Sequence, residues 1–263
     1  MRLFISDIDG TLVRPDKTLA PETIAAARRL VDTGVAMSLI SARPPCGIAW
    51  IADALDLPGP FGAFNGGTIF GRDGTVLDRC GIDPGVAAEM VKLFQTAGVT
   101  LWVFADGKWY SSTADDPHIP REIKSANLDP IITSDFSGLL DRIDKIVAVS
   151  DDTVRLTSLE NIAVALADGA ATVSRSQRYY LDVTARGADK GVGISRIAEA
   201  FGVALEDVTV IGDQANDLPM FDRAGLSIAM GQSDDLVKAR ADWSTASNAE
   251  NGVAQAIDRL LAK

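Results

Sequence analysis

Short apolar runs alternate with helical patterns at both ends of the chain. Arg2 to Ser6 is an apolar run that stops at the acidic, glycine-containing Asp7-Ile8-Asp9-Gly10-Thr11, the pattern of a buried strand delivering carboxylates into a loop. Pro21 and Glu22 open a helical pattern with Ile24, Ala27, Leu30 and Val31 on one face, and Gly34 supplies the stop. A strand is predicted from Val35 to Ile40, ending at Ser41-Ala42-Arg43. A helix follows from Pro44 to Leu55, then a short strand from Gly62 to Phe64 before Asn65-Gly66-Gly67. Strand, helix, strand, helix, strand is the grammar of a parallel sheet with right-handed crossovers.

The same grammar returns near the C-terminus. Asp189 to Phe201 carries Ile194, Ile197 and Phe201 at helical spacing, and Val208 to Ile211 is a β-branched run ending in Gly212-Asp213. A helix from Asn216, a strand from Leu226 to Ala229 and a helix with Val253, Ile257 and Leu261 complete it. The middle differs in kind. Trp102-Val103-Phe104, Asp106-Gly107 and Lys108-Trp109-Tyr110 predict an antiparallel hairpin turning at the Asp-Gly pair. A strand from Lys145 to Val149, a helix from Leu156 to Leu166 and strands from Ala171 to Arg175 and Tyr179 to Thr184 follow. The expected architecture is therefore an α/β domain of residues 1–81 and 186–263, a Rossmann-like parallel sheet flanked by helices, interrupted by an α+β insert at residues 82–185.

Composition narrows the partners more than the fold. The 263 residues are 47% hydrophobic and carry a formal net charge of −11, which argues against a sequence-independent grip on nucleic acid or an anionic membrane. No apolar run approaches the length of a membrane span, and Asp7 arrives too early for a signal-peptide core, so the expectation is a cytoplasmic monomer or weak homodimer. Cys46 and Cys80 form no metal-type spacing and are expected as reduced thiols.

Four clusters stand where apolar strands end, and in a parallel sheet ligands bind outside the carboxyl ends of the strands. Asp7 and Asp9 flank Ile8; in a continuing strand they would point the same way, and two neighbouring carboxylates repel unless they share a cation or proton. Hard oxygen ligands of this kind suit Mg²⁺. Ser41 and Arg43 offer a hydroxyl and a planar guanidinium for phosphoryl oxygens. Lys190 lies in Gly187-Ala188-Asp189-Lys190-Gly191 at the start of a helix, an unfavourable place for a cation unless an anion faces it. The fourth, Gly212-Asp213-Gln214-Ala215-Asn216-Asp217, again sets acids just after a buried strand.

In this order the four clusters resemble the haloacid dehalogenase superfamily of phosphotransferases, and the insert between the second and third resembles the large α/β cap of its Cof-like, type IIB branch. Tyr180-Leu181-Asp182-Val183 leading to Lys190-Gly191 is similar to that branch's return from cap to core. One departure is Ala42, where the branch usually carries Gly. The resemblance implies a Mg²⁺-dependent phosphatase acting on a small phosphomonoester, a sugar phosphate or similar metabolite. Asp7 would be the nucleophile and Asp9 the general acid and base. Asp7, the Asp9 backbone carbonyl and Asp213 would hold Mg²⁺, with Asp217 as a direct ligand or an orienter of one. Ser41, Lys190, Asn216 and Arg43 would bind the phosphoryl oxygens. The cap would close over the site and select the leaving group.

Other readings stay open: a phosphomutase of the phosphomannomutase type, separable by dependence on a hexose bisphosphate, and a non-catalytic phospho-acceptor or phosphate-binding protein without turnover. The cap residues are read more plainly. His118 is expected in a surface loop, and Trp102, Trp109 and Tyr110 are expected to pack the cap's sheet. Arg121 and Lys124 are expected on a solvated helix face. Asn65-Gly66-Gly67 reads either as a tight turn or as a loop approaching substrate.

Overall fold

The computed structural model describes residues 1–262. Along the chain run β1 (Leu3–Ser6), α1 (Pro21–Asp32), β2 (Ala36–Leu39), α2 (Pro45–Ala54), β3 (Phe61–Ala63), β4 (Thr68–Phe70) and β5 (Val76–Arg79). Next come α3 (Pro84–Ala97), β6 (Thr100–Ala105), β7 (Lys108–Ser111), α4 (Ile119–Ala126), β8 (Ile131–Ile132), β9 (Ile143–Val149), α5 (Thr153–Ala167), β10 (Ala171–Gln177) and β11 (Tyr180–Ala185). The last stretch holds α6 (Lys190–Phe201), β12 (Val208–Gly212), α7 (Leu218–Phe221), β13 (Leu226–Ala229), α8 (Asp235–Arg240), β14 (Trp243–Ser244) and α9 (Gly252–Leu261). They form two compact units, one of residues 1–41, 48–78 and 189–263 and the other of residues 42–47 and 79–188. One boundary falls between residues 41 and 42, so Ser41 and Arg43 belong to different units, and another at residues 47 and 48 cuts through the first turn of α2.

In the first unit a parallel sheet has the order β14-β13-β12-β1-β2, with Ile40 bridging in parallel to Gly62 beyond it. Every residue of β1 is buried, because a central parallel strand is covered on both faces; this is why it reads as an unbroken apolar run and not as an alternation. Leu3, Ile5, Val208 and Val210 on one face pack with Ile194, Ile197 and Met220. Pro21 opens α1, where its missing N–H costs nothing, and Gly202 in the left-handed region closes α6. This arrangement brings the C-terminal ends of β1, β2 and β12 to one edge of the sheet.

The helix expected from Asn216 begins one residue earlier, as a 3₁₀ turn over Ala215–Asp217 that runs directly into the four-residue α7. The Gln214 side chain accepts from the Asp217 amide and the Asp217 side chain accepts from the Gln214 amide, a reciprocal cap that starts the helix. The hairpin β4–β5 was not expected, although Asp73-Gly74 offers a turn pair between its strands. Val76 and Leu77 are both largely exposed there, so β5 lacks the alternation a half-buried strand shows.

The second unit holds a six-stranded sheet of order β10-β11-β9-β6-β7-β8, antiparallel except where β7 meets β8. Asp106 and Gly107 both have positive φ, as a two-residue hairpin turn requires. Leu101, Val103, Ile146, Ala148, Leu181 and Val183 alternate onto the face that packs Met90, Phe94, Leu156 and Leu159 of α3 and α5. Trp102 and Trp109 are fully buried and meet edge to face at 5.0 Å, so the hairpin aromatics do pack this sheet. His118 lies in the turn before α4, as expected, and its half-buried side chain is engaged there. Its ring stacks on Tyr179 at 4.0 Å and its Nε2 lies 3.0 Å from Asp151 Oδ1. Arg121 lies over the Tyr179 ring, with its guanidinium carbon 5.9 Å from the centroid. Cys46 and Cys80 are free thiols. Among the described residues no helix is long and apolar enough to cross a membrane.

Candidate active site

The sheet edge of the first unit assembles a buried charge cluster. Asp7 follows β1, and its amide donates to the Ile211 carbonyl at 3.0 Å, which ties the acid to the neighbouring strand. Asp213 follows β12 and Lys190 opens α6. The Lys190 ammonium donates to Asp7 Oδ1 at 2.6 Å and to Asp217 Oδ1 at 2.5 Å, with all three groups buried. Asp189 caps the same helix by accepting from the Val192 amide, so the lysine leaves the first turn toward two carboxylates that offset the unfavourable helix end.

Asp217 does two jobs. Its Oδ2 accepts from the amides of Asp213 and Gln214 at 2.8 and 2.9 Å, fixing the turn that carries Asp213, while its Oδ1 takes the lysine. Asp213 in turn receives Thr11 Oγ1 and Gln214 Nε2, each at 3.2 Å. Glycines make the room. A Cβ on Gly10, whose φ is +84°, would sit 2.2 Å from Asp213 Oδ2, and one on Gly212 would sit 2.5 Å from the Asp217 carboxyl carbon.

Three acids and one lysine leave the cluster with excess negative charge in a poorly solvated place. Burial above all, with Asp217 and Asp213 adding to it against the pull of Lys190, pushes the Asp7 carboxyl up to about 8. Burial and then Asp217 push Asp213 up to about 6. Burial alone would lower Lys190, but Asp217 and Asp7 outweigh it and hold the ammonium charged. The carboxylate oxygens of Asp7, Asp213 and Asp217 lie within 4.8 Å of one another, and Asp7 Oδ2 is buried with no hydrogen-bond partner. An orphaned anionic oxygen in a set of hard oxygen donors fits a small divalent cation.

The remaining expected residues take other positions. Asp9 lies in the turn that the chain makes through Ile8–Leu12 after β1, and its Oδ1 receives Lys17 Nζ at 2.5 Å. Ser41 is buried at the end of β2, its amide donating to the Gly62 carbonyl at 2.9 Å. Asn216 Nδ2 donates to Asn65 Oδ1 at 3.4 Å. Arg43 is buried in the second unit and donates to the Gly47 carbonyl at 3.1 Å. Ala42 is not in the left-handed region, so a side chain there brings no backbone strain. Thr11, Lys17 and Gln214 were not picked out from the sequence. Only Thr11 carried a usable signal, as the hydroxyl beside the glycine of the acidic loop.

A parallel sheet thus gathers a buried lysine and three carboxylates at the ends of its strands. The family model for haloacid dehalogenase-like hydrolases matches residues 4–257. A 5-amino-6-(5-phospho-D-ribitylamino)uracil phosphatase of Bacillus subtilis is 27% identical over 99% of this chain and 98% of its own. A haloacid dehalogenase-like hydrolase from Bacteroides thetaiotaomicron superposes with a TM-score of 0.90 at 28% identity, covering 98% of this chain and 99% of the other. A subclass IIB sugar phosphatase of the superfamily has the same fold, with a TM-score of 0.87 at 22% identity over 100% of both chains. The chain belongs to the haloacid dehalogenase-like hydrolases, in the Cof-like branch of phosphoric monoester hydrolases.

Proposed function

We propose that this chain is a Mg²⁺-dependent phosphatase that hydrolyses a small phosphomonoester, of the sugar-phosphate or polyol-phosphate class, through an aspartyl-phosphate on Asp7. The observation that carries the reading is the state of the Asp7 carboxylate: Oδ1 is held by Lys190 at 2.6 Å, and Oδ2 is buried without a partner. A carboxylate gripped by one oxygen presents the other as a fixed nucleophile. The relative from Bacillus subtilis is named for a phosphomonoester of a ribityl chain, which supports the substrate class.

In the first step Asp7 Oδ2 attacks phosphorus as the P–O bond to the leaving group breaks, and Asp9 gives its proton to the departing oxygen. In the second, Asp9 takes a proton from water, the water oxygen attacks phosphorus, and the bond to Asp7 breaks to release inorganic phosphate. Lys190, Ser41 and Asn216 hold the non-bridging oxygens where charge shifts during transfer. Asp7, the Asp9 carbonyl, Asp213 and Asp217 would hold Mg²⁺, which when bound neutralises the acids and the phosphate dianion that must share the pocket. Asp217, with both oxygens already engaged, orients Asp213 and Lys190 and is the weakest of these ligands. Lys17 keeps the Asp9 side chain in place between the two steps.

The test is phosphate release from a panel of sugar, polyol and cofactor monophosphates, with Mg²⁺ and with EDTA. Release that needs Mg²⁺ is expected, and release untouched by EDTA would contradict the reading.

The metal-free protein should also lose stability as pH rises. Asp7 and Asp213 have folded-state values of about 8 and about 6 against an ordinary 3.8, so between 3.8 and those values the folded state binds more protons than the unfolded one. The slope of stability with pH is then negative. In EDTA, Tm should fall by several degrees between pH 5 and pH 8, and saturating Mg²⁺ should flatten that fall. A Tm rising over this range without Mg²⁺ would count against the shared-charge account.

A further inference from the structure

We propose that Asn65 is a positioning residue of the phosphate site, holding the Asn216 carboxamide so that its second N–H faces a phosphoryl oxygen. This rests on the reading of Asn216 as a phosphate ligand.

The loop after β3 has an unusual backbone. Phe64, Asn65 and Gly66 follow one another with φ of +50°, +58° and +88°. Glycine adopts this region freely and asparagine tolerates it, but a bulky phenylalanine does so only when its surroundings impose it. A simple turn would not need it, because Gly66 and Gly67 stand next in the chain and could supply the reversal alone. Strain of this kind collects where a side chain must be held in a particular place.

Several contacts impose the conformation. The Asn65 amide donates to the Ser41 carbonyl at 2.8 Å, and Arg196 reaches the Gly66 carbonyl at 3.3 Å. Gly66 lies so close to α6 that a Cβ on it would sit 2.4 Å from the Gly193 Cα. The loop is thus locked to the residue that ends β2 and to the helix that begins with Lys190. What the lock places is the Asn65 side chain, 6% exposed, with Oδ1 3.4 Å from Asn216 Nδ2.

The consequence follows from the chemistry of a carboxamide. Asn216 has an oxygen that repels a phosphate dianion and a nitrogen with two protons. An acceptor at Asn65 selects the rotamer in which the nitrogen points inward, occupies one of its protons and leaves the other for the ligand. Asn216 also sits one residue from Asp217, so the turn that positions Lys190 and Asp213 carries the amide as well.

The experiment compares wild type, N65G, N216G and the double variant. Glycine suits a left-handed position, so the Tm of N65G should equal or exceed the wild-type value. Inorganic phosphate in Mg²⁺ buffer, titrated by calorimetry, should bind N65G about tenfold more weakly, the worth of one oriented hydrogen bond. The double variant should bind no more weakly than N216G, because Asn65 acts through Asn216. Additive losses, wild-type affinity in N65G, or no phosphate binding by wild type would each overturn the proposal. N65A, which also removes the acceptor, gives the same reading should N65G fail to fold. Wild type that binds phosphate yet hydrolyses no monoester would sink the phosphatase reading while leaving this one tested.

Discussion

Asp7→Asn should abolish turnover while leaving the fold intact. The amide has nearly the volume of the carboxyl, and because the metal-free carboxyl is pushed up to about 8, the substitution removes repulsion from Asp213 and Asp217 only as pH rises through that value. Metal-free D7N protein should therefore match the wild-type Tm at neutral pH and exceed it above pH 8. Its chemistry is another matter, since a neutral amide oxygen is a poor nucleophile and the covalent step has no substitute in the cluster. A fall of about 10⁴-fold or more in kcat is expected, the scale seen when a covalent nucleophile is removed. Phosphate release is the measurement. Mg²⁺-dependent activity of D7N within a hundredfold of wild type would rule out Asp7 as nucleophile.

Lys190→Met should damage both stability and activity. The ammonium is buried and lies within 2.6 Å of Asp7 and Asp217, two of the three acids of the cluster. Methionine fills the space but leaves anions in a low-dielectric site, and breaking a buried pair in this way costs about 3–5 kcal/mol. Turnover should fall about 10²–10³-fold as the donor to the transferring group is lost. The two effects separate in the double variant K190M/D217N: removing an anion should restore much of the lost Tm, and no activity should return. Recovery of both would mean that Lys190 serves folding alone.

The parallel core and the core residues of the charge cluster were legible because both come from short, unbroken apolar runs that stop abruptly. β1 and β12 are continuous hydrophobic stretches, and each delivers its acid, Asp7 or Asp213, at the first residue beyond the strand. Lys190 was visible as a cation in the wrong place on a helix. The second carboxylate of the first loop was harder, since a strict two-residue alternation puts Asp9 beside Asp7, whereas the turn through Gly10 sends it to Lys17. The resemblance gives Asp217 as a direct metal ligand or an orienter of one, and its two backbone hydrogen bonds, which make it the brace of the turn, depend on a cap no periodicity reveals. His118 read as a polar loop residue because its partners, Asp151 and Tyr179, come from distant segments. Tertiary pairing decides such residues, and a linear pattern holds no trace of it.

The central claim is a covalent bond between Asp7 and phosphorus, and one measurement bears on it most directly. D9N enzyme is mixed with p-nitrophenyl phosphate and Mg²⁺, whose good leaving group needs no general acid, then quenched in acid for intact-mass and peptide analysis. The account predicts one phosphoryl group per chain, on the peptide that carries Asp7, formed with a matching burst of p-nitrophenol. A burst of p-nitrophenol without a phosphorylated peptide, or a phosphoryl group on any other residue, would contradict it.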